Sequence, residues 1–240
     1  MPSSRLLQVS AVIFDFDNTL VDTHSATKNA YVRIFDRIGK EFGIKNERLW
    51  EEITKIEAEQ TGSVSKTKEN YERSRYLKIL AQRLSIPLSD REINDLAELF
   101  YTSVRDNIKF NPHTEKVLAD LKAKGLKLAL LTEKDSRYGY KSERISKMSF
   151  SKYFDTIIIA GETIPDGKVK PDAFVKTLEM LGIRPEEAVM VGDRLDIDIE
   201  NSKKIGMFSI LMEGYSDSRT SEFKPDFVID DIDELRDIIA

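Results

Sequence analysis

The amino-acid sequence predicts an α/β fold, a parallel, right-handed wound sheet interrupted early by a separate helical domain. Three observations carry this. Six short apolar runs are nearly continuous in hydrophobicity and rich in Val and Ile: Ala11–Phe14, Leu126–Leu131, Thr156–Ala160, Ala188–Val191, Phe208–Leu211 and Phe227–Ile229. That is the pattern of strands covered on both faces. Amphipathic segments of helix length separate the later runs, and strand alternating with helix winds a parallel sheet. Between the first run and the second, the pattern from about Ser25 to Ile108 is helical, in four segments.

The elements follow in order. The first strand ends at Phe14 and opens directly onto "DFDNT". Four helical segments come next: "NAYVRIFDRIGKEFG", "ERLWEEITKIEAEQ", "YERSRYLKILAQRL" and "DREINDLAELFYTSV". Four helices are too many for an ordinary crossover, so residues 23–108 are assigned to an inserted helical domain and residues 1–22 with 109–240 to the α/β core. Thr61–Asn70 is the most loop-like stretch of the insert. "PHTEKVLADLKAKG" then places Val117, Leu118 and Leu121 at helical spacing and stops at Gly125. "KPDAFVKTLEMLG" stops likewise at Gly182, and "DIDIENSKKIG" runs through a further helix to Gly206.

Composition narrows the function classes. A formal net charge of −5 lacks the basic excess of a nucleic-acid binder. With no cysteine there are no disulfides, thiolate metal sites or cysteine nucleophile. The start, MPSSRLLQVS, lacks the apolar region of a signal peptide, and no apolar run approaches the ~18 residues that span a bilayer. The expectation is a cytoplasmic, soluble protein without a nucleic-acid or membrane partner, as a monomer or homodimer.

In an open parallel sheet, ligands bind at the carboxyl ends of the strands. The first strand is followed by Asp15, Asp17 and Thr19, and the second by Thr132. A loop with Lys168 and Lys170 follows the third, and Gly192, Asp193, Asp196 and Asp198 follow the fourth. The acids suit a hard divalent cation, and the lysine and hydroxyl suit a phosphate. A cation such as Mg²⁺ would offset the repulsion between Asp15 and Asp17 and the charge on phosphoryl oxygens. One carboxylate can attack phosphorus while the other moves protons.

These residues carry a resemblance. "DFDNT", "LALLT", "KVKPDAF" and "VMVGDRLDIDI" stand in the order and spacing of the four motifs of the haloacid dehalogenase-like (HAD) superfamily. The chain resembles its phosphatases with a helical cap inserted after the first strand of a Rossmann-like core. The resemblance implies a Mg²⁺-dependent phosphatase that hydrolyses a small phosphorylated metabolite through an aspartyl-phosphate. It implies Asp15 as nucleophile and Asp17 as general acid/base. The metal ligands would be Asp15, Asp17 (through its backbone carbonyl) and Asp193. Thr132 and Lys170 would hold phosphate, Lys170 being preferred to Lys168 because it directly precedes Pro171. Thr19 would brace the first loop, and Gly192 and Asp198 would support the site. Where many relatives have Asn after the second-motif Thr, this chain has Glu133, which would repel phosphate. The cap would act as a lid hinged near Val21–Ser25 and Asn107–Pro112, excluding water from small soluble substrates.

Other readings were weighed against these residues. An EF-hand loop from Asp15 would need Gly at Leu20 and Glu at Ala26, and one from Asp196 fails at Asn201 and Met207. A dehalogenase of the superfamily lacks the second acid, so Asp17 favours phosphoryl chemistry. A phosphomutase shares all four motifs. A receiver domain has no place for the helical insert, and an idle binding protein would usually have lost Asp15 or Asp17. His24 follows the first loop closely, and His113 sits at a helix start. Arg73, Arg75 and Tyr76 are candidates to reach substrate, whereas Trp50 reads as packing.

Overall fold

Six strands pair in parallel throughout, in the spatial order β3-β2-β1-β4-β5-β6. The computed structural model describes residues 6–62, 72–214 and 220–240. The strands are β1 (Ala11–Phe14), β2 (Lys127–Glu133), β3 (Thr156–Ala160), β4 (Ala188–Gly192), β5 (Phe208–Met212) and β6 (Phe227–Ile229). Three of them outrun the apolar runs that announce them. Thr132 and Glu133 extend β2 because β3 still offers Ile159 and Ala160 as partners. Gly192 joins β4 against Leu211, and Met212 joins β5 against Ile229.

Period-two alternation sends the strand side chains into two cores. Ala11, Ile13, Ala129, Leu131, Ile158 and Met190 pack with Phe174, Leu178 and Leu181 of α7 (Asp172–Leu181). That helix stops at Gly182, whose φ of 64° is a left-handed conformation that favours glycine. Val12, Phe14, Leu128, Leu130 and Val191 point the other way and are fully buried. Phe14 meets the ring of Phe154 at 6.2 Å, and Phe154 meets Phe150 at 6.5 Å. The buried face of α5 (Thr114–Ala123) is Val117, Leu118 and Leu121.

The backbone divides into two units. One comprises residues 1–22, 109–134 and 139–240, and the other residues 23–108 with 135–138. The second unit contains α1 (Thr23–Phe42), α2 (Asn46–Gly62), α3 (Arg73–Arg83) and α4 (Asp90–Asn107). The loop expected over Thr61–Asn70 lies, from position 63 onward, outside the described residues. The unit has its own core of Tyr31, Ile34, Phe35, Leu49, Ile53, Leu80 and Phe100. Trp50 packs there, 4.9 Å from Phe35. Ser89 and Glu92 form a reciprocal capping box that starts α4. Arg73 and Tyr76 take part in packing rather than standing on a solvated face. Tyr76 is buried, and the Arg73 guanidinium lies 4.9 Å from its ring and 4.8 Å from that of Phe100. Arg73 also donates to Glu57 at 2.8 Å.

Candidate active site

The first strand delivers Asp15 at its carboxyl end, flanked by β2 on one side and β4 on the other. Phe14 is in register with both Leu130 and Val191, so Asp15, Thr132 and Asp193 emerge from three adjacent strands on one edge of the sheet. The chain then doubles back sharply. Asn18 adopts a left-handed φ of 57°, which Asn tolerates better than most residues, and its N–H donates to the Val21 carbonyl at 2.8 Å. This turn keeps Asp15 and Asp17 beside the strand end. Thr19, expected to brace this loop, is fully buried beside it, and its hydroxyl has no hydrogen-bond partner among the described residues.

The fourth motif is shaped by a close approach. After Gly192 and Asp193 the backbone forms a single π turn, Leu195–Ile199, leading into α8 (Glu200–Lys204). The turn brings the Asp198 carboxylate back over Gly192, where an added Cβ would lie 2.3 Å from Asp198 Oδ2. Only a glycine admits that overlap. Oδ2 accepts from the Arg194 N–H at 3.1 Å.

The lysine at the site is Lys168. The expectation that Lys170 would serve is corrected: Lys170 is exposed, whereas Lys168 is 3% exposed. The Lys168 ammonium donates to Asp15 and lies 2.7 Å from Asp198 Oδ1. Its backbone is held from both sides. The Lys168 N–H donates to Glu133 Oε2 at 2.6 Å, and its carbonyl accepts from Asn201 Nδ2 at 3.2 Å. Burial between two carboxylates, and not adjacency to Pro171, sets Lys168 beside Asp15. Glu133, expected to repel phosphate, instead fixes the loop that presents Lys168.

Carboxylate oxygens of Asp15, Asp193 and Asp198 lie within 4.8 Å of one another, and all three residues are buried. Burial and the charges of Asp198 and Asp17 push Asp15 up to about 6 despite Lys168. Burial, with Asp15 and Asp198 nearby, pushes Asp193 up to about 9. Burial alone would lower Lys168, yet Asp15 and Asp198 raise it above its ordinary range. The cluster thus carries more negative charge than Lys168 offsets, and an all-oxygen, acidic donor set fits a hard divalent cation. The Asp17 carboxylate, whose backbone carbonyl and not its side chain is the expected metal ligand, is paired with Lys141 and Arg144. Asp198, expected as a supporting acid, stands in the set with Asp15 and Asp193.

Thr132 is buried at the end of β2, with its hydroxyl 3.4 Å from the Glu133 carbonyl. His24 is exposed at the start of α1, and His113 pairs with Asp231 at 3.1 Å. Sequence reading missed Lys141 and Arg144, and it missed the tie from Glu133 to Lys168.

The family model for haloacid dehalogenase-like hydrolases matches residues 9–206. The chain is 28% identical to a glyceraldehyde 3-phosphate phosphatase of Methanopyrus kandleri over 96% of its length and 97% of that protein. It is 30% identical to a phosphorylated carbohydrates phosphatase of Thermotoga maritima, covering 83% of this chain and 82% of that one. A crystal structure of a HAD phosphatase from Thermococcus onnurineus superposes with a TM-score of 0.67 at 25% identity, over 95% of this chain and 97% of the other. The chain belongs to the haloacid dehalogenase-like hydrolases. Both of these relatives bear the names of phosphatases, and no helix among the described residues is long and apolar enough to cross a membrane.

Proposed function

We propose that the chain is a Mg²⁺-dependent phosphatase of small phosphorylated metabolites, acting through a phosphorylated Asp15. The observation that carries this reading is the buried Asp15–Lys168–Asp198 array beside Asp193. A nucleophilic carboxylate stands there next to both a cation-binding acid set and a fixed ammonium. The names of the two relatives support phosphorylated sugars and trioses as the substrate class.

Asp15 and Asp193, with Asp198 alongside and the Asp17 main-chain carbonyl as implied by the family, would hold the cation. When bound, Mg²⁺ offsets the negative charge that substrate phosphate brings to this acidic edge. Thr132 and Lys168 would orient the phosphoryl group. The Asp15 carboxylate attacks phosphorus, and the bond from phosphorus to the leaving oxygen breaks as Asp17 donates a proton to that oxygen. Asp17, now a carboxylate, takes a proton from water. The water oxygen attacks phosphorus and displaces the Asp15 carboxylate, releasing inorganic phosphate and restoring both acids.

The test is phosphate release from an activated aryl phosphate and a panel of sugar phosphates, with Mg²⁺ and with excess chelator, for the wild type and Asp15→Asn. Mg²⁺-dependent release, lost in the variant while the fold is retained, is the expected result. Release by Asp15→Asn at the wild-type rate would remove Asp15 as nucleophile. Silence of the metal-supplied wild type across the panel would sink the phosphatase reading.

A further inference from the structure

Three basic side chains are buried among the described residues: Lys141, Arg144 and Lys168. All three pair with the two aspartates of the first motif, and they divide them. Lys168 takes Asp15. Lys141 and Arg144 take Asp17, Lys141 donating to Oδ2 and Arg144 to Oδ1. Both come from one short helix, α6 (Tyr140–Ser146), where a spacing of three residues puts them on the same face. Their charged groups also lie over the Phe16 ring, 5.7 Å away for Lys141 and 5.3 Å for Arg144. The ring is the residue between the two aspartates. The Asp17 side chain itself keeps 27% of its surface exposed, so its carboxylate stays accessible while its partners do not.

We propose that Lys141 and Arg144 are positioning residues for the acid/base step. They hold the Asp17 carboxylate by both oxygens, away from the cation-binding acids and at the place where it meets the leaving oxygen. This inference rests on the reading of Asp17 as the acid/base in the proposed phosphatase reaction. It explains why two aspartates separated by one residue end up in different company. Asp15 joins Asp193 and Asp198, and Asp17 is drawn off by α6. Without the pair, nothing in the motif itself would stop Asp17 from turning toward the same cation. A proton donor misplaced by an ångström loses much of its effect, because proton transfer needs hydrogen-bond reach.

The test compares two leaving groups. p-Nitrophenolate leaves well without a proton, whereas an alkoxide from a sugar or glycerol phosphate needs one. kcat/KM for p-nitrophenyl phosphate and for an alkyl phosphate is measured for the wild type, Lys141→Met and Arg144→Gln, with thermal melts alongside. Positioning predicts a selective loss: kcat/KM for the alkyl ester falls about tenfold or more beyond any fall for the aryl ester. Lys141→Arg and Arg144→Lys keep the charge and the fold but move the donor, and they should show the same selectivity to a smaller degree. They serve where the neutral variants do not fold. A purely structural tie between α6 and the first loop predicts equal proportional losses for both esters, and that result, or no loss at all, overturns the proposal. A wild type inert toward both esters would fail the phosphatase reading and this inference with it. An active wild type with unselective variants fails this inference alone.

Discussion

Replacing Gly192 with alanine tests the site through a single methyl group. The added Cβ would stand 2.3 Å from Asp198 Oδ2, 2.4 Å from its Cγ and 2.6 Å from its Cβ. Non-bonded carbon and oxygen atoms need about 3.4 Å, so the Asp198 side chain must retreat by about 1 Å. That carboxylate lies 2.7 Å from the Lys168 ammonium and accepts from the Arg194 N–H, so both contacts are loosened by the same movement. Overpacking of this kind costs about 1–3 kcal/mol. For a chain of this size that corresponds to a fall in Tm of roughly 2–12 °C. Activity should fall further than stability alone implies, because an ångström of misplacement can reduce turnover about 10²-fold. Gly167→Ala is the control, since its Cβ would meet the Glu133 oxygens at 3.5 Å and Val169 Cγ2 at 3.7 Å, all ordinary contacts. Thermal melts and steady-state phosphate release on both variants provide the readout. If Gly192→Ala matches the wild type and Gly167→Ala in both, the overlap of Asp198 with Gly192 is not what shapes the site.

The other predictions concern the lysine, its support and the acids. Lys168→Ala strands the buried Asp15 and Asp198 carboxylates and should destabilise the fold by about 3–5 kcal/mol as well as abolish turnover. Lys170→Ala, at an exposed position, should stay within about 0.5 kcal/mol of the wild type in denaturant titration. Glu133→Ala leaves the Lys168 N–H without its acceptor, which should cost about 1–3 kcal/mol and lower kcat, with Glu133→Gln milder. The folded-state values of Asp15 and Asp193 lie above the unfolded 3.8, so the folded chain binds more protons than the unfolded one. Stability in chelator should therefore fall as pH rises from the unfolded value through about 6 and on toward about 9. Added Mg²⁺ should restore stability most at the alkaline end. A pH-independent gain on adding Mg²⁺ across melts from about pH 5 to about pH 9 would show that these carboxyls do not bind the ion.

Much of the molecule is legible along the chain because its information is local. A continuous apolar run such as Ala11–Phe14 can be stable only between two covered faces, and its flanking acids mark the strand end. The amphipathic period of "KPDAFVKTLEMLG" and its terminal glycine likewise specify α7 and its stop. Strand lengths were read less well, because the last rungs of β2, β4 and β5 are set by what the neighbouring strand offers. Thr132 and Glu133 lie beyond the apolar run Leu126–Leu131 and join the strand opposite Ile159 and Ala160.

The sequence by itself determined the wound parallel sheet, the helical segments between its first two strands, and the acids gathered at the strand ends. Those follow from hydrophobic period and from residues adjacent to a strand. Which groups pair was decided by tertiary structure alone. Lys141 and Arg144 lie 124 and 127 residues from Asp17, and Lys168 lies 153 from Asp15. No local pattern distinguishes Lys141 and Arg144 from the chain's other basic side chains, and the motif before Pro171 offers Lys168 and Lys170 together. What selects them is burial: once a cation is enclosed by the fold, it must face a carboxylate, and only the packed structure says which cations are enclosed.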